Sequence, residues 1–212
     1  IGNDAAYPVT GCYRLKQDID ASATADWNEG AGFLPIGSAS DFVGVFDGNG
    51  HAIYNLSVNR PGAIAGMFSW VGAEGIVRNL RLIDVSVGGC CPVGGLAVYN
   101  GGLIDRCEVS GVVTGSDAVG TVVGMNRFGV VNRCYATGQV RGSGRVGGVV
   151  GHNIYGLVSH CYAASVLAGE GASCGGISAS PSMGTMTNSY WDVDVSGCAT
   201  SAGGLGKTTA EM

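Results

Sequence analysis

Charge is scarce in this chain. Asp, Glu, Lys and Arg make up 13% of it, about half of the roughly 25% usual in a soluble domain. The balance is −5 with a pI near 5.0, the reverse of the basic stripe that marks nucleic-acid binders, so no nucleic-acid partner is expected. No stretch of 18 apolar residues occurs, so no membrane-inserting helix is expected. Proline occupies 5 positions and no Gly-X-Y period exists, which excludes collagen. No segment of helix length carries a 3.6-residue apolar period. No export signal is visible and the first residue is not Met. A mature or excised segment whose signal has been removed is therefore expected.

Glycine is what the chain has in excess, 39 of 212 residues against a usual share of about 7%. The hydrophobic fraction of 46% argues against disorder. Much glycine, much valine and little charge suit short stacked strands with a turn at each corner.

The glycines are periodic. Gly75, Gly102, Gly129 and Gly156 are each 27 residues apart, and Gly184 follows one residue late. Five residues beyond each glycine stand Leu80, Cys107, Cys134, Cys161 and Ser189, followed by Arg81, Glu108, Tyr135, Tyr162 and Tyr190. The run from Val119 to Ser165 repeats a Val-Gly-x-Val-Val-Gly opening and a Cys-Tyr-Ala close. A fixed period of this length marks a solenoid in which each coil buries its neighbour's apolar ladder. The expected fold is all-β, a right-handed parallel β-helix of about five coils of about 27 residues, three strands and three turns per coil. The coils span 66–204. Residues 1–65 are the N-terminal cap and first strands, and 205–212 a C-terminal tail. Within the cap, Asp47-Gly48-Asn49-Gly50 reads as a turn and His51 to Val58 alternates as a half-buried strand.

Strand alternation then assigns the side chains. Cys107, Cys134 and Cys161 form a buried ladder of free thiols, acting as small apolar residues. Tyr135, Tyr162 and Tyr190 then point outward in a stripe, with Arg106, Arg133 and His160 on a neighbouring position. The stripe is the candidate binding surface, since aromatic rings with a polar handle pack against sugars; a purely stabilising stack is the plainer reading. Cys12, Cys90, Cys91, Cys174 and Cys198 fall outside the repeat pattern and are the disulfide candidates. Cys174 is expected to meet Cys198, and Cys12 to staple the N-terminal segment to Cys90 or Cys91. Such bridges imply an oxidising exterior.

Catalytic chemistry is thin. Asp18 with Asp20, and Asp192 with Asp194, are spaced to share a strand face, but a calcium site needs six to eight oxygens. Turn and cap hydrogen bonds are expected there, with no metal and no cofactor. His51, His152 and His160 are scattered, the last two at surface positions. No catalytic residue is assigned.

The motifs resemble the GLUG-motif family of bacterial and archaeal surface proteins. They stand here as Val93-Gly94-Gly95-Leu96-Ala97, Val119-Gly120-Thr121-Val122-Val123-Gly124 and Val146-Gly147-Gly148-Val149-Val150-Gly151. Phe46-Asp47-Gly48-Asn49-Gly50-His51 looks like the segment before such repeats, and Asn188-Ser189-Tyr190-Trp191-Asp192 with Leu205-Gly206-Lys207 like the one that closes them. The resemblance implies a non-enzymatic, cell-surface or extracellular module, akin to filamentous-haemagglutinin-like adhesins, acting in adhesion or as a stalk. A surface glycan or protein receptor is the partner implied. The alternatives are a subunit that polymerises with itself into an extracellular filament and, behind that, a polysaccharide-cleaving enzyme.

Overall fold

The structure, a computed structural model, describes residues 1–2, 4–169 and 173–212. The chain is a parallel β-solenoid. Valine-rich strands of two to nine residues stack in register, each hydrogen-bonded to the strand one coil away. Val130–Asn132 pairs with Leu103–Asp105 below and Leu157–Ser159 above. Tyr135–Gly142 likewise lies between Glu108–Thr114 and Tyr162–Gly169.

Among the described residues each regular coil has four strands, not the expected three, and the strands form sheets of seven, five, nine and four members. The extra break falls inside the Val-Gly-x-Val-Val run. Ala118–Gly120 belongs to the four-stranded sheet and Val123–Arg127 to the five-stranded one. A Cβ on Gly120 would overlap the carbonyl of Val123, and one on Gly147 that of Val150. Only glycine lets the chain turn so tightly there.

The interior is a set of columns. Val77, Ile104, Val131 and Val158 form one, and Leu82, Val109, Ala136 and Ala163 another, all buried. Trp191 closes the C-terminal end of the core, its indole nitrogen donating to the Cys198 carbonyl at 3.1 Å.

Residues 12–60 continue the same sheets rather than departing from them. Cys12–Arg14 pairs with Val45–Asp47, which pairs with Ile76–Arg78. The predicted strand from His51 to Val58 is two strands, Ala52–Tyr54 and Ser57–Arg60, broken at Asn55, whose φ is 59°. Both align on Arg81–Gly89. The Asp47 to Gly50 stretch is a turn: Asn49 and Gly50 both have positive φ and the His51 amide donates to the Gly48 carbonyl. At the other end Leu205–Lys207 adds a strand beside Tyr190–Asp192, so that part of the tail is a rung of the sheet.

Candidate functional site

The outward column on the nine-stranded sheet runs Arg81, Glu108, Tyr135, Tyr162, Tyr190, each in register with the next. The order follows from the buried column beside it: Cys134 points in, so Tyr135 points out and Ala136 in again. Tyr135 and Tyr162 stack with centroids 5.0 Å apart and planes 7° from parallel. Tyr190 lies in the same column, and the Lys207 ammonium sits 5.1 Å from its ring centroid. Burial raises the Tyr162 hydroxyl above its ordinary value, with the Tyr135 hydroxyl adding to this.

Beside Tyr135 runs a shallow groove of about 330 Å³ between Arg106, Arg133 and the Arg81–Glu108 ion pair. Arg106, Arg133 and His160 hold one corner position in successive coils, each with φ of 51–53°. Arg133 is fixed by a two-point contact to the buried Asp105 carboxylate, at 2.9 and 2.7 Å, and Asn132 donates to the same group at 2.9 Å. The ring stripe and the charged corner are thus brought together, and the corner is held from behind.

The carboxylate pairs are committed to the fold. Asp18 accepts from the Ala52 amide and from His51, and both lower its pKa. Asp20 accepts from Asn55 and the Ser22 amide. Asp192 and Asp194 do not share a strand face. Asp192 ends a strand and caps a four-residue helix, Val193–Ser196, which contains Asp194. Burial works against the ionised Asp192, but donation from Thr209, Val195 and Asp194 outweighs it and holds the group below its ordinary value. Among the described residues no three His, Cys, Asp or Glu side chains are grouped so as to hold a metal ion.

His152 corrects the expectation of a surface position: it is 7% exposed. It stands in register with Met125, but Arg145 and Ser182 cover it, 3.0 and 2.7 Å from its two ring nitrogens. Burial, then the Arg145 charge, lowers its pKa.

All eight cysteines are free. Cys107, Cys134 and Cys161 are buried in one column, their thiols directed at backbone carbonyls. Thiol-to-thiol hydrogen bonding and burial push Cys134 and Cys161 well above the ordinary thiol range. Cys174 is not outside the pattern: it continues the Val93, Val119, Val146 column. Cys198 meets it there, and burial with the Cys174 thiol moves its pKa up to about 12. The structure does not bring Cys12 to Cys90 or Cys91. Cys12 is on the seven-stranded sheet beside Val45, while the other two follow the strand Arg81–Gly89 of the nine-stranded sheet. Cys90 and Cys91 face each other instead, with sulfurs 3.0 Å apart.

Two features went unread in the sequence. Asn100, Asn126 and Asn153 are fully buried and hydrogen-bonded amide to amide at 2.8 and 2.9 Å. A Cβ on Gly129 would overlap Asn100, and one on Gly156 would overlap Asn126, so the glycine that sets the period also seats the asparagine of the coil before. Recurrence of Asn at nearly the glycine period was the available signal. On the same side, Phe128 and Tyr155 stack 5.2 Å apart while 68% and 51% exposed, and Trp70 stacks on Tyr99.

No family model matches the chain. Halomucin from Haloquadratum walsbyi is 43% identical over 119 residues, 53% of this chain but 1% of that protein. A putative Gly-rich membrane protein from Evansella cellulosilytica is 40% identical over 102 residues, 46% of this chain and 12% of its own length. The chain therefore spans a small part of either relative. Among solved structures, a putative immunoglobulin A1 protease from Bacteroides ovatus superposes with a TM-score of 0.68 at 21% identity, over 95% of this chain and 79% of that one. A structure of IgA1 protease gives 0.67 at 21% identity, over 86% of this chain and 15% of that one. The likeness is one of fold: these structures share the β-solenoid.

Proposed function

We propose that this chain is a non-enzymatic module of an extracellular or cell-surface protein, a rigid stalk whose outer face binds a glycan. The observation that carries the reading is the in-register column of Tyr135, Tyr162 and Tyr190 beside the Arg106, Arg133 and His160 corner. Aromatic stripes of this kind offer apolar faces for sugar rings and hydroxyls for orientation. The arginines supply fixed donors for hydroxyl or carboxylate oxygens. The relatives' names support a surface setting, and the small share of each that the chain covers fits one module of a long protein. The solenoid's structural neighbours are named for a protease. The paired carboxylates Asp18, Asp20, Asp192 and Asp194 are instead occupied with capping and coil-to-coil hydrogen bonds.

The test is a glycan-array screen of the chain against Tyr135→Ala/Tyr162→Ala. Loss of binding with an unchanged circular dichroism spectrum supports the assignment, and unchanged binding moves the site elsewhere. Turnover of any polysaccharide that Asp192→Ala removes would overturn the non-enzymatic reading. A second reading, a self-assembling filament subunit, rests on the end strands of the seven-stranded sheet, Cys12–Arg14 and Thr185–Thr187, whose outer edges pair with no strand among the described residues; coil stacks are directional, so end-to-end contacts can propagate. Rods that lengthen with concentration in negative-stain micrographs would favour it.

A further inference from the structure

The corner between the five-stranded and seven-stranded sheets is not built alike in every coil. From the buried asparagine to the following glycine there are three steps in two coils, Asn126 to Gly129 and Asn153 to Gly156, but only two in the coil below, Asn100 to Gly102. The deleted residue is the one that protrudes, held by Phe128 and Tyr155 in the next two coils with φ of 63° and 53°. One coil further down, the same corner is longer and carries Ala73 and Glu74. A gap one rung high is left between Glu74 and Phe128, floored by Gly101 and Gly102.

The gap is a notch of about 390 Å³. Its roof is the Phe128 ring. Tyr155 covers one face of that ring, with planes 3° from parallel, and the opposite face looks onto the glycine rung. The back wall is the in-register pair Ile76 and Leu103. Glu74 is the one ionisable residue lining the notch. It is exposed and, among the described residues, has no ion-pair partner. The guanidinium of Arg127 does not reach across, being placed 5.9 Å from the Trp70 ring centroid.

Positive φ is a conformation bulky side chains avoid. At the other left-handed column the chain uses Asn79, Arg106, Arg133, His160 and Asn188. At this one it uses Phe128, Tyr155 and Met183, large apolar residues that stay exposed and so gain no core burial in return. Such outliers gather at ligand contacts.

We propose that this notch binds a single organic cation, an ammonium or guanidinium group, held between the open face of Phe128 and the carboxylate of Glu74. A cation is attracted to the ring face and pairs with the carboxylate, and the acidic balance of the chain, −5, favours its approach. With the corner residue missing from one rung, an opening about 4.8 Å high is left, which admits one flat or slender group. The cation can come from a lysine or arginine of a partner protein or from an amino sugar.

The test titrates the isotope-labelled chain by NMR with N-acetylarginine amide, N-acetyllysine amide and glucosamine, with N-acetylglucosamine as the neutral control. The expected result is salt-sensitive binding of the cations with shifts confined to Gly101, Gly102, Phe128 and their neighbours. Phe128→Ala should weaken it roughly fivefold and Glu74→Gln roughly threefold. Inserting one asparagine between Gly101 and Gly102 restores the missing corner residue and should abolish binding. A preference for the amides points to a protein partner, and one for glucosamine to an amino-sugar glycan. No shift with any cation, shifts unchanged in Phe128→Ala, or equal binding of N-acetylglucosamine would overturn the proposal. Phe128 is a surface residue, so a preserved spectrum of the unliganded variant separates loss of binding from loss of fold.

Discussion

Two inward columns stand at different corners of the same coils, and they hold the solenoid in different ways. One is amide: Asn100, Asn126 and Asn153, each fully buried. The other is thiol: Cys107, Cys134 and Cys161, 1–2% exposed. Asn126 accepts from Asn100 and donates to Asn153 and to the Gly129 carbonyl, all within 3.0 Å. The thiols reach carbonyls at 3.3–3.9 Å, and a thiol is a weak donor. A buried amide must be satisfied or it costs the coil dearly. A buried thiol behaves as a small apolar filler. The asparagine column therefore fixes register, and the cysteine column fills space.

Deleting the middle of each column should separate these roles most sharply. Asn126→Ala strands the Asn153 carbonyl oxygen and one of the two Asn100 amide protons, while the other Asn100 proton keeps the Val130 carbonyl and the Gly129 carbonyl keeps the Leu157 amide. A loss of about 2–4 kcal/mol is expected, read as a lower urea midpoint. Cys134→Ala removes one sulfur and leaves a small void, with a loss of roughly 1–2 kcal/mol. Equal losses would break the distinction. The thiol column has a second readout. Cys134 and Cys161 are buried with raised pKa values, so a thiol reagent should label the exposed Cys12 and Cys91 while the column reacts only on unfolding.

The coil count and the thiol column were legible because glycine and cysteine recur at one spacing, and a solenoid writes its period directly into sequence. The outward tyrosines followed from alternation beside Cys134. The fourth sheet was not legible. Val-Gly-x-Val-Val has the composition of one strand, and what bends it is the nearness of the Val123 carbonyl to Gly120, a backbone contact that no side-chain pattern announces. The asparagines were missed because Asn is ordinarily a turn residue and because the deletion between Asn100 and Gly102 shifts one of them out of period. The Cys12 pairing failed for a different reason: a period places residues along one column, and Cys12 and Cys91 are on different ones. Cys174 was misread because valine holds its position in the earlier coils, so identity changed while the inward direction did not.

The amide corner also carries a buried histidine, whereas His160 beside the thiol corner is exposed. His152 precedes Asn153 and is enclosed by Arg145 and Ser182. Its pKa is lowered from the ordinary 6.5, so the unfolded chain takes up the proton first. Its contribution to stability is complete above about 6.5 and declines as pH falls through that value toward the folded pKa. Urea midpoints should therefore drop between pH 7.5 and 5.5, and His152→Gln should flatten that slope. The hydrogen-bonded carboxylates Asp18, Asp20 and Asp192 are held below their ordinary 3.8. Their loss therefore belongs to a separate, more acidic transition. A slope that survives in His152→Gln would remove the histidine from the account.

The smallest effect on stability is expected just outside the thiol corner. Tyr135 and Tyr162 stack face to face, but on the solvent side, where a cross-strand aromatic pair contributes about 0.2–1 kcal/mol. Tyr135→Ala should therefore shift the urea midpoint far less than Cys134→Ala, although it removes many more atoms. The inequality has a physical basis: the sulfur is enclosed by neighbours that cannot follow it when it is deleted, whereas water replaces the ring. Were the tyrosine variant the less stable of the two, the outer stack would be holding the coils together. Glycan binding would then be lost through the fold rather than through the surface. With stability retained, any lost binding belongs to the rings themselves, and the thiol column is the support that keeps them in register.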